Sequence, residues 1–71
     1  MARRDGAREL RRYARVAQAA GWDVTLTRRN HLRFQAPAGG GLVFTPSTPS
    51  DWRSVRNARS LLRRAGLEDL T

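Results

Sequence analysis

The chain is predicted to be α+β, with elements in the order α-β-β-β-α. Three observations predict this. One segment near each end places apolar residues on one side of a 3.6-residue period and arginines on the other. Between those segments, two runs alternate strictly between apolar and polar residues. The links between the strands are too short for parallel crossovers, which leaves an antiparallel meander.

The first helix is expected from about Asp5 to Ala20. Ala7, Leu10, Tyr13, Ala14, Ala17 and Ala20 gather on one side, and Arg4, Arg8, Arg11, Arg12 and Arg15 on the other. Asp5 suits an N-cap or first-turn acid, and Gly21 suits the left-handed position that ends a helix. Residues 1–4 are expected to be an arm outside the helix. With Glu9 the one nearby acid, the arginine side should repel itself, which favours an anionic ligand over solvent.

Trp22 to Thr27 reads as a half-buried strand, with Trp22, Val24 and Leu26 inward. Arg28, Arg29 and Asn30 make a short turn, and Asn tolerates the left-handed conformation. His31 to Ala36 alternates again, with Leu32, Phe34 and Ala36 inward and His31, Arg33 and Gln35 outward. Pro37 to Gly41 forms the next hairpin loop, and Leu42 to Thr45 a short third strand ended by Pro46.

The second helix is expected to open on a capping box. Thr48 would be the N-cap, Pro49 the first helical residue, and Asp51 the acid three residues after Thr48. It should run to Ala65 and stop at Gly66. Val55, Ala58, Leu61, Leu62 and Ala65 form its apolar stripe, and Arg53, Arg56, Arg59, Arg63 and Arg64 the other side. Trp52 falls at the edge of the arginine side, where it either packs over the sheet edge or stacks on a base. Leu67 and Leu70 should fold back as an apolar cap. A three-stranded antiparallel sheet with both helices on one face buries every apolar stripe. That layout, double-stranded-RNA-binding-like, leaves Thr25, Thr27, His31, Arg33 and Gln35 on an open sheet face.

Size and composition narrow the chemistry. A length of 71 residues makes residues 1–71 a single domain with no room for a cofactor domain. There is no cysteine, so thiolate metal sites and disulfides are excluded, and neither metal nor cofactor is expected. No apolar run reaches the length of a membrane span, and MARRDGAREL lacks the apolar centre of a signal peptide, so a cytoplasmic location is expected. The net charge of +8 comes with fourteen basic residues, all of them Arg. Arginine offers planar, multi-donor recognition of phosphate and stacks on bases. A polyanionic partner is therefore expected, nucleic acid first.

Several strings resemble the HicA toxin family of small ribonucleases. They are Ala20-Gly21-Trp22 at the end of the first helix, Asn30-His31 with Phe34 three residues on, the Gly-rich hairpin, and LLRRAGL from Leu61 to Leu67. The resemblance runs from about Arg8 to Leu67. It implies a double-stranded-RNA-binding-like fold, cleavage of mRNA by the histidine carried over to His31, and an acidic HicB-like antitoxin as partner. The chain departs from the family pattern in two places. Arg29 and Asn30 stand where the family often has Gly and Ser, and TPSTPS carries no second histidine.

Metal-free RNA cleavage needs a base for the ribose 2′-OH and stabilisation of charge on the phosphate. A histidine, titrating near neutrality, serves as base or acid. His31 is the only histidine and the candidate catalytic residue. Arg28, Arg29 and Arg33 are placed to hold the phosphate and Asn30 to orient substrate, while Arg8, Arg11, Arg12 and Arg15 are the candidate RNA-binding side of the first helix. Two other readings remain. One is an RNA- or DNA-binding module of the same fold without catalysis, of a kind a phage could encode; the other is a basic effector that docks on an acidic host protein.

Overall fold

The computed structural model describes residues 6–48, 51–68 and 70. Its elements are α1 (Gly6–Ala19), β1 (Asp23–Leu26), β2 (His31–Gln35), a one-turn 3-10 helix (Pro37–Gly39), β3 (Leu42–Pro46) and α2 (Trp52–Arg64). The strands form one antiparallel sheet in the order β1-β2-β3. Both helices lie on the same sheet face: Leu10, Tyr13 and Ala17 of α1 and Val55, Ala58 and Leu62 of α2 share a core with Phe34 and Val43. The expected α-β-β-β-α domain is therefore the observed one. Expectations for residues 1–4 and for Asp5 and Pro49 lie outside the described residues.

The two helices end in the same way. Gly21 (φ 89°) follows α1 and Gly66 (φ 107°) follows α2, each in the left-handed conformation that glycine adopts without a Cβ penalty. The Trp22 N–H donates to Ala17 O at 2.9 Å, and the Leu67 N–H donates to Leu62 O at 2.9 Å. The glycine N–H groups donate to Gln18 O and Arg63 O. These are paired Schellman closures, and the residue after each glycine, Trp22 or Leu67, is buried in the core.

Four expectations need correction. The second helix begins at Trp52, because Asp51, not Thr48, is its N-cap. The Asp51 carboxylate accepts from the Arg53 N–H at 3.0 Å, and Asp caps as well as Thr does. Leu26 is 61% exposed, because it ends an edge strand outside the core cluster. Leu61 lies on the flank of α2 that lines a shallow groove with Phe44 and Pro46, and it too is exposed. Ala20 lies past the end of α1 in an exposed turn. Leu67 and Leu70 close the core as expected, and Trp52 packs against it.

Candidate functional site on the open sheet face

The β1–β2 hairpin builds the site. The Asn30 N–H donates to Thr27 O at 3.0 Å, and the Thr27 N–H donates to His31 O at 2.8 Å. Arg28 and Arg29 occupy the turn between, and Asn30 takes the left-handed conformation with φ 66°. This is a three-residue hairpin loop whose last position favours Asn or Gly. The Asn30 carbonyl also accepts from the Ser47 N–H (3.2 Å) and hydroxyl (2.6 Å), which ties the turn to the end of β3. Asn30 thus has a backbone reason for its identity, independent of substrate.

His31 opens β2 and is exposed. Its N–H donates to the Thr27 hydroxyl at 3.2 Å, so the backbone is fixed while the imidazole is left in solvent. Cross-strand pairing sets the open face in rows. Asp23, Gln35 and Leu42 form one; Thr25, Arg33 and Phe44 the next; and His31 with Pro46 the last. Arg33 therefore shares the face with His31, one row away, about 6.7 Å along the strand. Its guanidinium donates to Gln35 Oε1 at 3.4 Å, and Gln35 in turn donates from Nε2 to Gly40 O at 2.9 Å. The Arg33 contact is at the outer limit of a hydrogen bond, and a guanidinium has five donors, so capacity for an anion remains.

The arginines of α1 belong to a different surface. A helix that buries one side on the sheet turns its opposite side away from it. Arg8, Arg11 and Arg15 are exposed on that outward side, across the helix layer from His31. Arg12 is engaged within the fold. Its Nε donates to Glu9 Oε1 at 2.6 Å, one Nη donates to Leu70 O at 3.1 Å, and its charge lies 5.2 Å from the Tyr13 ring centroid. The Glu9 hydrogen bond raises the Arg12 pKa against the opposing effect of burial. Burial raises the Tyr13 phenol, Glu9 adds to that, and Arg12 and Arg59 oppose it. The expectation of a self-repelling arginine side on α1 is thus corrected at Arg12, which pairs within the fold.

The sequence groups His31, Arg28, Arg29, Asn30 and Arg33; the structure puts Arg28, Arg29 and Asn30 in the turn, His31 at the start of β2, and Arg33 one row further along the same face. Sequence reasoning missed two features. Arg56, Arg59, Ser60 and Arg63 line a shallow cleft on α2. Phe44 stands on the open face beside Arg33, 54% exposed. The run LVFT offers apolar residues at three of four positions, so it carries no alternation from which to read a face.

The chain matches no protein-family model, no curated protein and no solved structure. Among the described residues, no helix is long and apolar enough to cross a membrane, and no three His, Cys, Asp or Glu side chains group as metal ligands.

Proposed function

We propose that the chain is a HicA-like ribonuclease that cleaves mRNA with His31 and is held in check by an acidic HicB-like partner. The observation that carries this reading is the exposed His31 imidazole on the open face, with Arg33 one row away and Arg28 and Arg29 in the adjoining turn. The sequence resemblance points to the same histidine. The net charge of +8 supports a polyanionic substrate and an acidic inhibitor.

In this mechanism neutral His31 takes the proton of a ribose 2′-OH. The 2′-oxygen attacks the adjacent phosphorus and the bond to the 5′-oxygen breaks, leaving a 2′,3′-cyclic phosphate and a free 5′-OH. Arg33, with Arg28 and Arg29, stabilises the charge that develops on the non-bridging oxygens. The proton taken by His31 returns to the departing 5′-oxygen. Among the described residues, no carboxylate or second histidine shares the His31 end of the face, so the one imidazole serves as base and then acid.

The test compares induced expression of the wild type and His31→Ala in a bacterial host, with total RNA analysed from both. Growth arrest with fragmented mRNA in the wild type, and neither in the variant, is expected. Fragmentation by the variant removes His31 from the mechanism. The missing second acid favours one alternative, an RNA-binding module without catalysis. That reading predicts salt-sensitive binding of purified protein to RNA that stays intact.

A further inference from the structure

The open sheet face carries an aromatic ring where a protein of this charge has little reason to expose one. Phe44 is 54% exposed and Leu42, on the same face, 46%. Their inward neighbours Val43 and Thr45 are buried, so the outward placement follows from strand alternation.

The ladder fixes what lies beside the ring. The Ala36 N–H donates to Gly41 O at 2.9 Å, and the Ser47 N–H donates to Asn30 O at 3.2 Å. Both pairs continue the β2–β3 register. Counting in from either end makes Phe34/Val43 and Leu32/Thr45 the hydrogen-bonded pairs. Arg33/Phe44 and His31/Pro46 are then non-hydrogen-bonded pairs, whose side chains stand closest, with Cα atoms about 4.5 Å apart. Phe44 is thus immediate neighbour to Arg33 and one row from His31. Arg33 is the cation paired with the ring, Arg28 and Arg29 lie in the turn beyond His31, and among the described residues of the face the one acid, Asp23, is on the far side of Arg33.

We propose that Phe44 is a stacking platform for an unpaired base of single-stranded RNA, placing the neighbouring phosphate between Arg33 and His31. This rests on the RNA-cleaving reading and names its substrate form. Stacking on an aromatic side chain needs an exposed base face, which a duplex hides within its own stack. Charge complementarity selects the occupant: an anionic backbone alongside Arg28, Arg29 and Arg33, with the base on the ring. Stacking tolerates every base, so Phe44 confers strand form rather than sequence preference.

The experiment titrates wild type, Phe44→Ala and Phe44→Trp with a labelled single-stranded RNA, the matching duplex, and a strand of equal charge without bases. Phe44→Ala should weaken single-strand binding by about tenfold or more, leave duplex binding unchanged, and keep the salt slope, since no phosphate contact is lost. Phe44→Trp should bind the single strand at least as well as the wild type. The strand without bases should bind the unaltered protein as weakly as Phe44→Ala binds RNA, which keeps the test independent of any variant's folding. Equal loss on single strand and duplex, or single-strand affinity within twofold of wild type in Phe44→Ala, overturns the proposal and leaves the ribonuclease reading standing. Wild type that binds no RNA overturns both.

Discussion

Of the glycines at Gly21, Gly39, Gly40, Gly41 and Gly66, Gly41 leaves the least room for a side chain, and the effect of filling it can be worked out. A Cβ built on Gly41 would lie 2.8 Å from the Ala65 Cβ and 3.4 Å from its Cα. Carbon atoms in good contact sit about 3.5–4.0 Å apart, so the methyl groups overlap by roughly 0.7–1.2 Å. Neither Cβ can rotate away. The start of β3 or the C-cap of α2 must move instead. Overpacking of this kind costs about 1–3 kcal/mol. For a domain of this size that is a melting-point loss of roughly 5–20 °C. The companion change Ala65→Gly removes the opposing methyl and should itself cost about 0.5–1 kcal/mol through added chain freedom. Combining the two should relieve the overlap. The double variant should then be more stable than the sum of the single losses by about 1–2 kcal/mol, a coupling of the size contacting residues show. Urea unfolding followed by the fluorescence of buried Trp22 and by circular dichroism measures all four corners of the cycle. Additivity within about 0.5 kcal/mol would refute the contact, and so the placement of the α2 terminus against the β3 entry.

Phe34 is fully buried at the centre of the sheet, so Phe34→Ala should destabilise by about 3–5 kcal/mol in the same urea assay, and a loss below about 1 kcal/mol would refute the register. Because burial raises the Tyr13 pKa in the folded state, the stability it contributes is complete below the ordinary tyrosine value near 10 and is lost as pH rises through the folded value. Thermal melts from about pH 9 to 11 should show this alkaline loss in the wild type and much less of it in Tyr13→Phe; parallel curves would refute it. Reversing Arg8, Arg11 and Arg15 to Glu probes the outward side of α1: RNA affinity should fall and the salt slope should flatten if that side touches RNA. Unchanged affinity, with affinity still falling on substitution of Arg28, Arg29 or Arg33, would assign all contacts to the sheet face.

Helix and strand identity were legible because each rests on a local period. The α1 and α2 stripes and the alternation of β1 and β2 needed no tertiary information. The register of the first hairpin followed from Asn30, whose tolerance of a positive φ marks the turn. Legibility stopped where a residue's place depends on a neighbour distant in sequence. Thr45 is polar yet 2% exposed, while Leu42 and Phe44 are apolar yet exposed, so β3 reads against its own hydropathy. Its faces are set by pairing with Phe34 and Arg33, which no local pattern encodes. The start of α2 is ambiguous in sequence because Thr48 and Asp51 are both good caps; the structure uses the Asp51 carboxylate. The four arginines of α1 look equivalent on a helical wheel. Only the fold reveals that Arg12 is bound to Glu9 and to the carbonyl of Leu70. The grouping of Arg28, Arg29 and Arg33 beside His31 is legible because the hairpin that holds them is itself local.

Helix ends usually fray, but the two Schellman closures make that hard here. Each ties its last turn to a side chain in the core, Trp22 or Leu67, and the two ends are neighbours: Val16, Ala19, Ala20, Gly66 and Glu68 line one shallow cleft. Opening either terminus would draw a large apolar group into water. The Trp22 and Leu67 amides should therefore exchange with solvent deuterium only when the whole domain unfolds, while amides in the exposed Arg28–Asn30 turn exchange through local motion. The C-terminal ends of both helices and the core they close should then open as one cooperative unit, while the arginine-bearing turn beside His31 hangs on its own hydrogen bonds to Thr27 and Ser47.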